Sequence, residues 1–403
     1  MNNRISIIDY GNGDALSLAR KIRSFGFYSR IFPYTIKGDE LRVFNPSVTL
    51  HLTEEEVTTL TTGVERRVSD FTDDELKAFL LAHATPSWTM ESYAEHLITE
   101  IKETVGDRRV LLGLSGGVDS SVCARLIHKA VGDQLTCVFV DHGLLRKNEG
   151  AQVRALFEET YHIPLIYVEA EEIFLRELKG ITDAEEKRKT IGRLFVDTFY
   201  AEGRAIPNIA FLAQGTIYPD IVESVQLDGS LAIKSHHNVG GLPADLSWQL
   251  LEPLKELFKD EVRALGRVLG LPDLLLNRHP FPGPGLGVRC IGELTKERLD
   301  TLREVDAIYI DEIRSAGLYD EIWQAIATLL PVKSVGVKDG RRVHEEVCTL
   351  RAVNSTDAIT AEIYPFSHEF MNTVVLRILA EVPTVSRVLW DISPKPPATI
   401  EWE

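Results

Sequence analysis

Short apolar runs alternate with amphipathic stretches through the middle of the chain. Each run has the length of a buried strand, and four are evident, at residues 110–114, 135–140, 164–168 and 209–213. Ahead of the first run, apolar residues recur at helical spacing after a plausible N-cap, Thr89, at Tyr93, Leu97, Ile98, Ile101 and Val105. Apolar strands that alternate with helices predict an α/β fold, a parallel sheet with helices on both faces.

The two ends of the chain follow other patterns. Residues 1–85 open like an α/β unit, with an apolar run and a helical stretch at 16–25, and then break into short strand-like and acidic pieces. After His279 a sequence rich in Pro and Gly, HPFPGPGLGVR, cannot lie inside a helix. Beyond it we predict helices at 296–315, 321–329 and 371–379, and strands at 332–337, 343–353 and 385–392.

These changes of pattern predict three domains in the 403 residues. The first covers residues 1–85, and the second, residues 86–279, contains the parallel sheet. The third, residues 280–403, is predicted to be a smaller α+β module whose amphipathic surface could serve an interface.

Charge and cysteine content narrow the classes of function. Asp and Glu number 60 against 44 Lys and Arg, and the formal net charge of −16 argues against binding of polynucleotides. A small phosphorylated ligand can still bind through a local basic cluster. The four cysteines form no CxxC pair, which argues against the usual zinc sites and favours a reducing compartment. Because the chain shows no signal pattern and no long apolar run, we predict a cytoplasmic protein without membrane contact.

The motif with the most specific chemistry is LSGGVDSSV, residues 114–122, which follows the first strand and opens a helix. Its adjacent glycines let backbone N–H groups surround an anion at the helix N-terminus. Asp119 can bind magnesium, and Ser115, Ser120 and Ser121 offer hydroxyl donors. Because no Lys follows the glycines, as it does in Walker loops, the loop is predicted to hold pyrophosphate rather than to transfer the terminal phosphoryl group. It resembles the PP-loop of the ATP pyrophosphatases, which cleave ATP between the α and β phosphates and adenylylate a substrate.

Two further strands end in polar motifs at the same edge of the sheet, where ligands bind in open α/β folds. VDHGLLRKNE follows the second strand, and there Val140 and Leu144 could flank an adenine base. AQGTIYPDIVES ends the last strand, and there Gly215 and Thr216 allow close approach of the backbone. Asp220, in the same motif, supplies a carboxylate for magnesium or for shaping a mobile loop.

Basic residues concentrate between these motifs at Lys187, Arg188, Lys189 and Arg193. On a helix Lys189 and Arg193 share a face, and a solvated charged face is the alternative to a ligand site. The sequence KSHHNVGGLP, residues 234–243, predicts a flexible lid whose Lys234 reaches phosphate and whose paired glycines form the hinge.

Further motifs follow along the chain, namely LFKDEVR, LLPVKSVGV and the terminal KPPATIEWE. Together with the motifs described above, they resemble those of GMP synthetases. HPFPGPGLG and KPPATIEWE distinguish this family from other PP-loop enzymes, whereas SGGVDSS alone does not. The loop at residues 338–342 departs from the family pattern. The resemblance covers about residues 86–403, in the family's order, through GLSGGVDSS, VDHGLLRKNE, QGTIYPD, KSHHNVGGLP, LFKDEVR, RHPFPGPGLGVR, LLPVKSVGV and KPPATIEWE.

The resemblance implies a set of site residues. Asp119 and Lys234 would carry catalysis, and Asp119 and Asp220 would bind magnesium. The PP-loop would bind ATP through Ser115, Gly116, Gly117, Val118, Asp119, Ser120 and Ser121. Xanthosine monophosphate (XMP) would bind the C-terminal module, which would also form a homodimer. There Lys395 suits the phosphate, Glu401 and the backbone of Thr399 and Ile400 suit the base edge, and the further candidates are Arg188, Arg278, Gln324 and Lys333.

The reaction implied by the resemblance adenylylates XMP and then aminates it to GMP. Two-domain members of the family carry an N-terminal glutamine amidotransferase, which needs a thiolate nucleophile. Residues 7–32 are similar to the start of such a domain, but the first cysteine is Cys123, inside the PP-loop helix. We therefore expect residues 1–85 to be a remnant without glutaminase activity, and ammonia to come free or from a separate glutaminase subunit. The alternatives are another PP-loop ligase and an inactive scaffold descended from a synthetase.

Overall fold

The computed structural model describes residues 3–11, 14–53, 64–224, 248–355 and 359–403. Within these ranges the strands form three sheets, one in each segment predicted from the sequence. No helix in the described ranges combines the length and the apolarity needed to cross a bilayer.

The N-terminal segment contains a complete parallel sheet with helices of its own. Its strand order is β2-β1-β3-β4, and the inner strand β1 is buried over its four central residues. The pieces that looked irregular in the sequence are therefore parts of one α/β unit, which we call the N-terminal module (residues 3–83). Its elements are β1 (Arg4–Asp9), α1 (Ala15–Ser24), β2 (Tyr28–Pro33), α2 (Gly38–Phe44), β3 (Val48–Leu52), β4 (Val64–Arg67) and α3 (Asp73–His83).

The central segment forms the parallel sheet that the apolar runs predicted, with strand order β7-β6-β5-β8-β9. Thr89 caps its first helix as predicted, because its hydroxyl oxygen accepts a hydrogen bond from the Ser92 N–H at 3.2 Å. The elements are α4 (Met90–Val105), β5 (Arg109–Gly113), α5 (Val118–Val131), β6 (Leu135–Asp141), α6 (Glu149–Arg154), β7 (Leu165–Glu169), α7 (Glu171–Glu177), α8 (Ala184–Ala205), β8 (Ile209–Ala213), α9 (Tyr218–Ser224), β9 (Gln249–Leu251), α10 (Lys259–Val268) and α11 (Asp273–Leu276).

Alternate residues of the central strands enter two different cores. Val110 and Leu112 pack with α4, α5 and α10 on one face, and that core continues into aromatic residues of the N-terminal module. Leu111 and Val138 pack with α8 on the other face, and that core continues into the C-terminal segment. Each flanking segment thus extends the apolar core of one face of the central sheet.

The C-terminal segment packs two long helices with a mixed sheet. Strands β10, β11 and β12 are antiparallel neighbours, and β13 lies parallel to β11. A register shift between Leu329 and Lys333 lies at Pro331, which has no N–H to donate to the ladder. The elements are α12 (Lys296–Ser315), β10 (Gln324–Lys338), β11 (Arg341–Asn354), β12 (Glu362–Ile363), α13 (His368–Glu381) and β13 (Val385–Trp390).

The helix predicted at residues 321–329 is wrong. From Gln324 onward this stretch is the first half of β10, and its residues up to Leu329 are buried. They pair with residues 348–353 of β11. Tertiary burial and pairing therefore override the helix propensity of the alanines in this stretch.

Candidate functional site

The glycine-rich loop connects the carboxyl end of β5 to α5. Gly116 has a φ of 73°, which side chains rarely tolerate, and a Cβ there would approach Val153 to 3.1 Å. The Ser115 and Ser120 hydroxyl oxygens lie 2.9 Å apart, and Ser115 Oγ accepts a hydrogen bond from the Gly117 N–H at 3.2 Å. The first N–H groups of α5 have no intrahelical acceptor, so they remain available to an anion.

Two of the predicted loop contacts are buried. Ser121 is fully buried, and its hydroxyl has no hydrogen-bond partner among the described residues, so it is not the exposed donor that the sequence suggested. Val118 is also buried, at 6% exposure, and only its backbone N–H could meet a ligand. The polar surface of the loop is therefore formed by Ser115, Ser120 and backbone groups.

A lysine from a distant element reaches the loop. Lys259, the first residue of α10, donates to both carboxylate oxygens of Asp119, at 2.7 and 2.6 Å. Both side chains are partly exposed, so a ligand can reach the pair. Lys259 lies in the motif LFKDEVR but was not among the predicted site residues. A lysine therefore reaches this loop through the tertiary structure, whereas Walker loops carry one next to their glycines.

The loop after β8 closes against the PP-loop helix, as its glycine suggested. A Cβ on Gly215 would lie 3.1 Å from the Asp119 backbone, so a side chain there would push the two backbones apart by a few tenths of an ångström. Thr216 donates a hydrogen bond to Glu252 Oε1 at 2.6 Å. Asp220 Oδ2 accepts from the Ile217 N–H at 3.1 Å. Among the described residues, no group of three His, Cys, Asp or Glu side chains is arranged to hold a metal ion.

The side chains predicted to flank an adenine base lie in the apolar core. Val140 is 2% exposed and Leu144 is fully buried, and both pack in the core on the α8 face of the sheet. Neither side chain offers a surface to a base in this structure. His142, between them, is also buried, and its Nδ1 accepts a hydrogen bond from the Leu144 N–H at 3.1 Å. Burial lowers the pKa of His142 to about 4, so its ring is neutral at physiological pH.

Arg278 connects the PP-loop to the motif that follows β6. Its guanidinium donates to the Gly116 carbonyl and forms an ion pair with Glu149 at 2.5 Å. Glu149 in turn accepts from the Arg146 N–H at 3.1 Å, and Arg146 Nε lies 3.3 Å from the carboxylate of Asp306 in α12. This chain of contacts leads from the PP-loop towards the C-terminal segment.

The same contacts continue into the C-terminal tail (residues 391–403). Arg289 is fully buried and lies 3.8 Å from Asp306. It donates to both carboxylate oxygens of Glu401, at 3.0 and 2.8 Å. Gln324 donates to Glu401 at 2.8 Å and to the Pro280 carbonyl at 3.0 Å. Two residues predicted for the substrate site, Gln324 and Glu401, therefore meet, and the sequence analysis missed Arg289, which joins them to the rest of the network.

A second buried arginine holds the tail in place. Arg351 in β11 donates to the carbonyl oxygens of Ser393, Thr399 and Ile400, at 2.6, 3.2 and 3.2 Å. Its guanidinium also lies 3.1 Å from the carboxylate of Asp391. The Thr399–Ile400 carbonyls are thus already bound within the protein.

The remaining substrate candidates are more scattered. Lys395 is half-buried, and its backbone pairs with that of Ala361. Lys333 is exposed on β10, opposite Glu346 in the strand register. Arg188 is half-buried in α8. Lys234, predicted to be catalytic, and the rest of the predicted lid lie outside the described residues.

The basic cluster in α8 divides into two kinds of residue. Lys189 and Arg193 are exposed and pair with acidic neighbours one helical turn away, which is the solvated face that the sequence allowed. Lys187 is fully buried and donates to Glu403 Oε2 at 2.7 Å and to the Cys290 carbonyl at 2.9 Å. The tail is therefore attached to the central segment as well as to the C-terminal sheet.

Two family models and several curated relatives match this chain. Residues 311–402 match the family described as GMP synthase C terminal domain, and residues 90–190 match the family described as NAD synthase. The chain is 59% identical over 325 residues to a glutamine-hydrolyzing GMP synthase of Rhodopseudomonas palustris, which covers 80% of this chain and 60% of that protein. It is homologous to GMP synthases over four-fifths of its length.

A second relative gives the same result. A glutamine-hydrolyzing GMP synthase of Bradyrhizobium sp. is 61% identical over 318 residues, covering 78% of this chain and 59% of that protein. The chain thus spans about 60% of the length of these GMP synthases. Among solved structures, NMN synthetase from Francisella tularensis is similar at 17% identity and a TM-score of 0.38, over 58% of this chain and 94% of that chain. Both ranges matched by the family models lie C-terminal to the N-terminal module.

Proposed function

We propose that this chain is an ATP-dependent ligase that converts XMP to GMP with ammonia as the nitrogen donor. The observation that carries the proposal is a largely buried network that leads from Gly116 to Glu401 by way of Arg278, Glu149, Arg146, Asp306 and Arg289. Such a network fixes a phosphate-binding loop and a nucleotide-binding tail relative to each other, as a reaction between two bound nucleotides requires. The homology to GMP synthases supports the choice of XMP and ammonia as substrates.

In the first step, the C2 oxygen of XMP attacks the α-phosphorus of ATP and pyrophosphate leaves. The N–H groups at the start of α5 and the hydroxyls of Ser115 and Ser120 would bind the departing pyrophosphate. Lys259 would supply positive charge where negative charge accumulates. The oxygen at C2 is thereby converted from a poor leaving group into part of AMP.

In the second step, ammonia attacks C2 of the adenylylated nucleotide, AMP leaves, and the surplus proton passes to solvent. The residues that would hold the base are Gln324 and Glu401, which the structure places in contact. Water and ammonia compete to attack the adenylylated intermediate. Amination therefore requires that the site exclude water. Lys234 and the predicted lid would provide this closure, which remains a proposal from the sequence.

Magnesium fits the residues at the PP-loop. Mg²⁺ usually takes one or two carboxylates and fills its shell with phosphate oxygens and water, and this agrees with a site built on Asp119. Asp220 is the second candidate ligand. The ion would neutralise charge on the pyrophosphate, and Lys259, now paired with Asp119, would then be released to pair with phosphate.

The thiols of this chain support ammonia as the nitrogen donor. All four cysteines are buried, and burial raises the pKa of each, to about 11 for Cys290 and about 12 for Cys348. A buried neutral thiol is a poor nucleophile, so none of them can serve in glutamine hydrolysis. We expect the purified chain to form GMP from ammonium and not from glutamine. Equal efficiency with the two donors would contradict this proposal.

A homodimer through the C-terminal segment is supported by its exposed apolar residues. These lie on β10 and around the end of β13, and they are Val332, Val335, Val337, Leu389, Trp390 and Ile392. An apolar surface of this kind marks interfaces between proteins. Light scattering of the purified chain would show the dimer mass, and Val337→Asp should shift it to the monomer. A monomeric unaltered chain would contradict the proposal.

The decisive experiment measures pyrophosphate release with ATP, magnesium, ammonium and a panel of acceptor nucleotides. We expect pyrophosphate release with XMP and with no other acceptor of the panel, accompanied by equal amounts of GMP and AMP. Release with a different acceptor would assign the chain to another type of PP-loop ligase. No release with any acceptor would favour an inactive scaffold.

A further inference from the structure

The N-terminal module shares apolar cores with the PP-loop domain. Tyr218 and Phe258, which belong to the central segment, pack in the same apolar cluster as Ile22 and Leu80 of the module. In the opposite direction, the module contributes Ile8, Tyr28, Phe32, Leu41 and Phe44 to the core beneath the central sheet. The module is therefore packed as a part of the domain that carries the proposed ATP site.

Arg23 of α1 is the polar centre of this junction. It is 5% exposed, and its guanidinium donates to Glu261 at 2.5 Å, to the Glu256 carbonyl at 2.8 Å and to the Ser29 carbonyl at 2.7 Å. Four aromatic rings surround it at 4.9 to 5.5 Å from the ring centroids, and they belong to Tyr28, Trp88, Tyr218 and Phe258. A cation held this tightly fixes α1 to the elements that carry its partners, α10 and β2.

Glu261 transmits this restraint to the PP-loop. The Glu261 carboxylate that binds Arg23 also accepts the Phe258 N–H at 2.9 Å, and so caps α10 at the residue before Lys259. Lys259 contacts Asp119 in the PP-loop. Three successive contacts thus connect the module to the residue proposed to bind magnesium.

A second route runs through Tyr218. Its hydroxyl accepts a hydrogen bond from the Ile31 N–H of β2 at 2.7 Å, and its own N–H donates to the Leu257 carbonyl at 2.9 Å. Tyr218 follows Thr216 by two residues in the loop that closes on Asp119. The loop after β8 and the start of α10 both border the PP-loop. Both are therefore held in place by contacts with the N-terminal module.

We propose that Arg23 is a positioning residue for the ATP site, and that the N-terminal module sets the affinity of the PP-loop for pyrophosphate through α10. The inference rests on the proposed function only in taking the ligand to be the pyrophosphate part of ATP. Lys259 is held against the PP-loop only while Arg23 anchors Glu261.

The experiment compares Arg23→Met with Arg20→Met in the full chain. Arg20 lies in the same helix and faces the same α10, at 3.7 Å from Asp260, but its side chain is about half exposed. Binding of inorganic pyrophosphate with magnesium is measured by calorimetry, and KM for ATP and for XMP by steady-state kinetics. We expect Arg23→Met to weaken pyrophosphate binding and raise KM for ATP about tenfold, with KM for XMP unchanged, and Arg20→Met to change neither beyond about twofold.

Two further variants separate positioning from folding. Arg23→Met leaves Glu261 buried without its partner and will lower the melting temperature, whereas Arg23→Met combined with Glu261→Gln removes that buried charge. The double variant should recover melting temperature while pyrophosphate binding stays weak. Arg23→Lys keeps the charge and should recover part of the affinity. Pyrophosphate binding that is unchanged in every folded variant would overturn the proposal.

The outcomes also distinguish this inference from the proposed function. If the unaltered chain binds pyrophosphate but makes no GMP, the XMP ligase reaction is wrong and the comparison of Arg23 with Arg20 still stands. If the unaltered chain binds no pyrophosphate, both are overturned. An effect of Arg20→Met equal to that of Arg23→Met would overturn the specific role of Arg23 alone.

Discussion

The two parallel sheets of this molecule differ in what happens at the ends of their central strands. In each sheet, one strand lies where the connections turn in opposite directions, β1 in the N-terminal module and β5 in the central segment. Ligands of open α/β sheets bind beyond the carboxyl ends of such strands. After β5 the backbone N–H groups of α5 are left open and Lys259 and Asp119 are reachable.

After β1 the described polar groups are satisfied internally. The Tyr10 hydroxyl lies 3.1 Å from His51 Nδ1, and His51 Nε2 lies 2.9 Å from a carboxylate oxygen of Glu65. Asp9 accepts the Gly11 N–H at 2.8 Å. Burial and the charge of Glu65 raise the pKa of Tyr10, so this hydroxyl stays neutral. Topology thus selects the same kind of edge in both sheets, but among the described residues only the edge after β5 leaves donors free for the ligand that we propose.

The strongest test of this difference is Asp119→Asn, which keeps the shape of the loop and removes its charge. We expect kcat/KM for pyrophosphate release to fall about 10³-fold, because electrostatic groups at a reacting phosphate contribute effects of this size. Asp133→Asn, an exposed residue just beyond α5, is the matched control and should have no effect. Retention of more than a tenth of the activity by Asp119→Asn would contradict the site.

Lys259→Met tests whether the lysine supplied by α10 makes the central sheet active. We expect kcat/KM for ATP to fall about 10²-fold with the fold intact, since the phosphate loses a positioned cation. The control is Lys255→Met, an exposed lysine four residues earlier. Steady-state kinetics of both variants give the result, and equal losses would show that Lys259 has no special position.

The buried His142 predicts a pH dependence of stability. Burial lowers its pKa from 6.5 to about 4. Between these values the unfolded chain takes up a proton that the folded chain refuses, so the free energy of unfolding falls as the pH falls, by about 1.4 kcal/mol per pH unit. Chemical denaturation at pH 7.5, 6 and 5 measures this slope. Burial also lowers the pKa of His279 to about 4, so His142→Asn should reduce the slope by the share of one histidine rather than abolish it. A slope unchanged in this variant would assign the dependence to other groups.

Glu65→Gln tests the claim that the end of the N-terminal sheet is structural. Losing the charge beside the buried His51 should lower the free energy of unfolding by about 1–3 kcal/mol. We expect kcat and both KM values to stay within about twofold, in contrast to Arg23→Met. Glu40→Gln, exposed on α2 of the same module, is the control for stability. A change in KM for ATP would show that this end of the sheet is not separate from the site.

Much of the fold could be predicted from local features of the sequence. The helix at residues 296–315 and the strand at 209–213 have the predicted bounds, because each is marked by periodicity and by its flanking residues. The error at residues 321–329 arose where helix propensity opposed burial within a sheet, and only the partner strand β11 decides that competition. The sheet of the N-terminal module was not predicted, because its strands are short and become recognisable only when they pair with one another.

The candidate site was predictable where its chemistry is contiguous in sequence. SGGVDSS shows its glycines, carboxylate and helix start in seven residues. Lys259 is 140 residues from Asp119, and Arg289 is 112 residues from Glu401, so their roles depend on folding rather than on spacing. A lysine or arginine is most often solvated, and no local feature of the sequence marks the ones that gain an acidic partner in the folded chain.

The sharing of each core between segments bears on how this chain can be divided in the laboratory. Removal of the N-terminal module would expose Tyr218, Phe258 and the aromatic side of α4. Removal of the C-terminal segment would expose the surface beneath α8. Each truncation would produce a fragment with a broad exposed apolar surface, and such a fragment would tend to aggregate. Fragments chosen by domain boundaries would therefore be poor reagents, and variants of the intact chain are the sounder route to the role of each part.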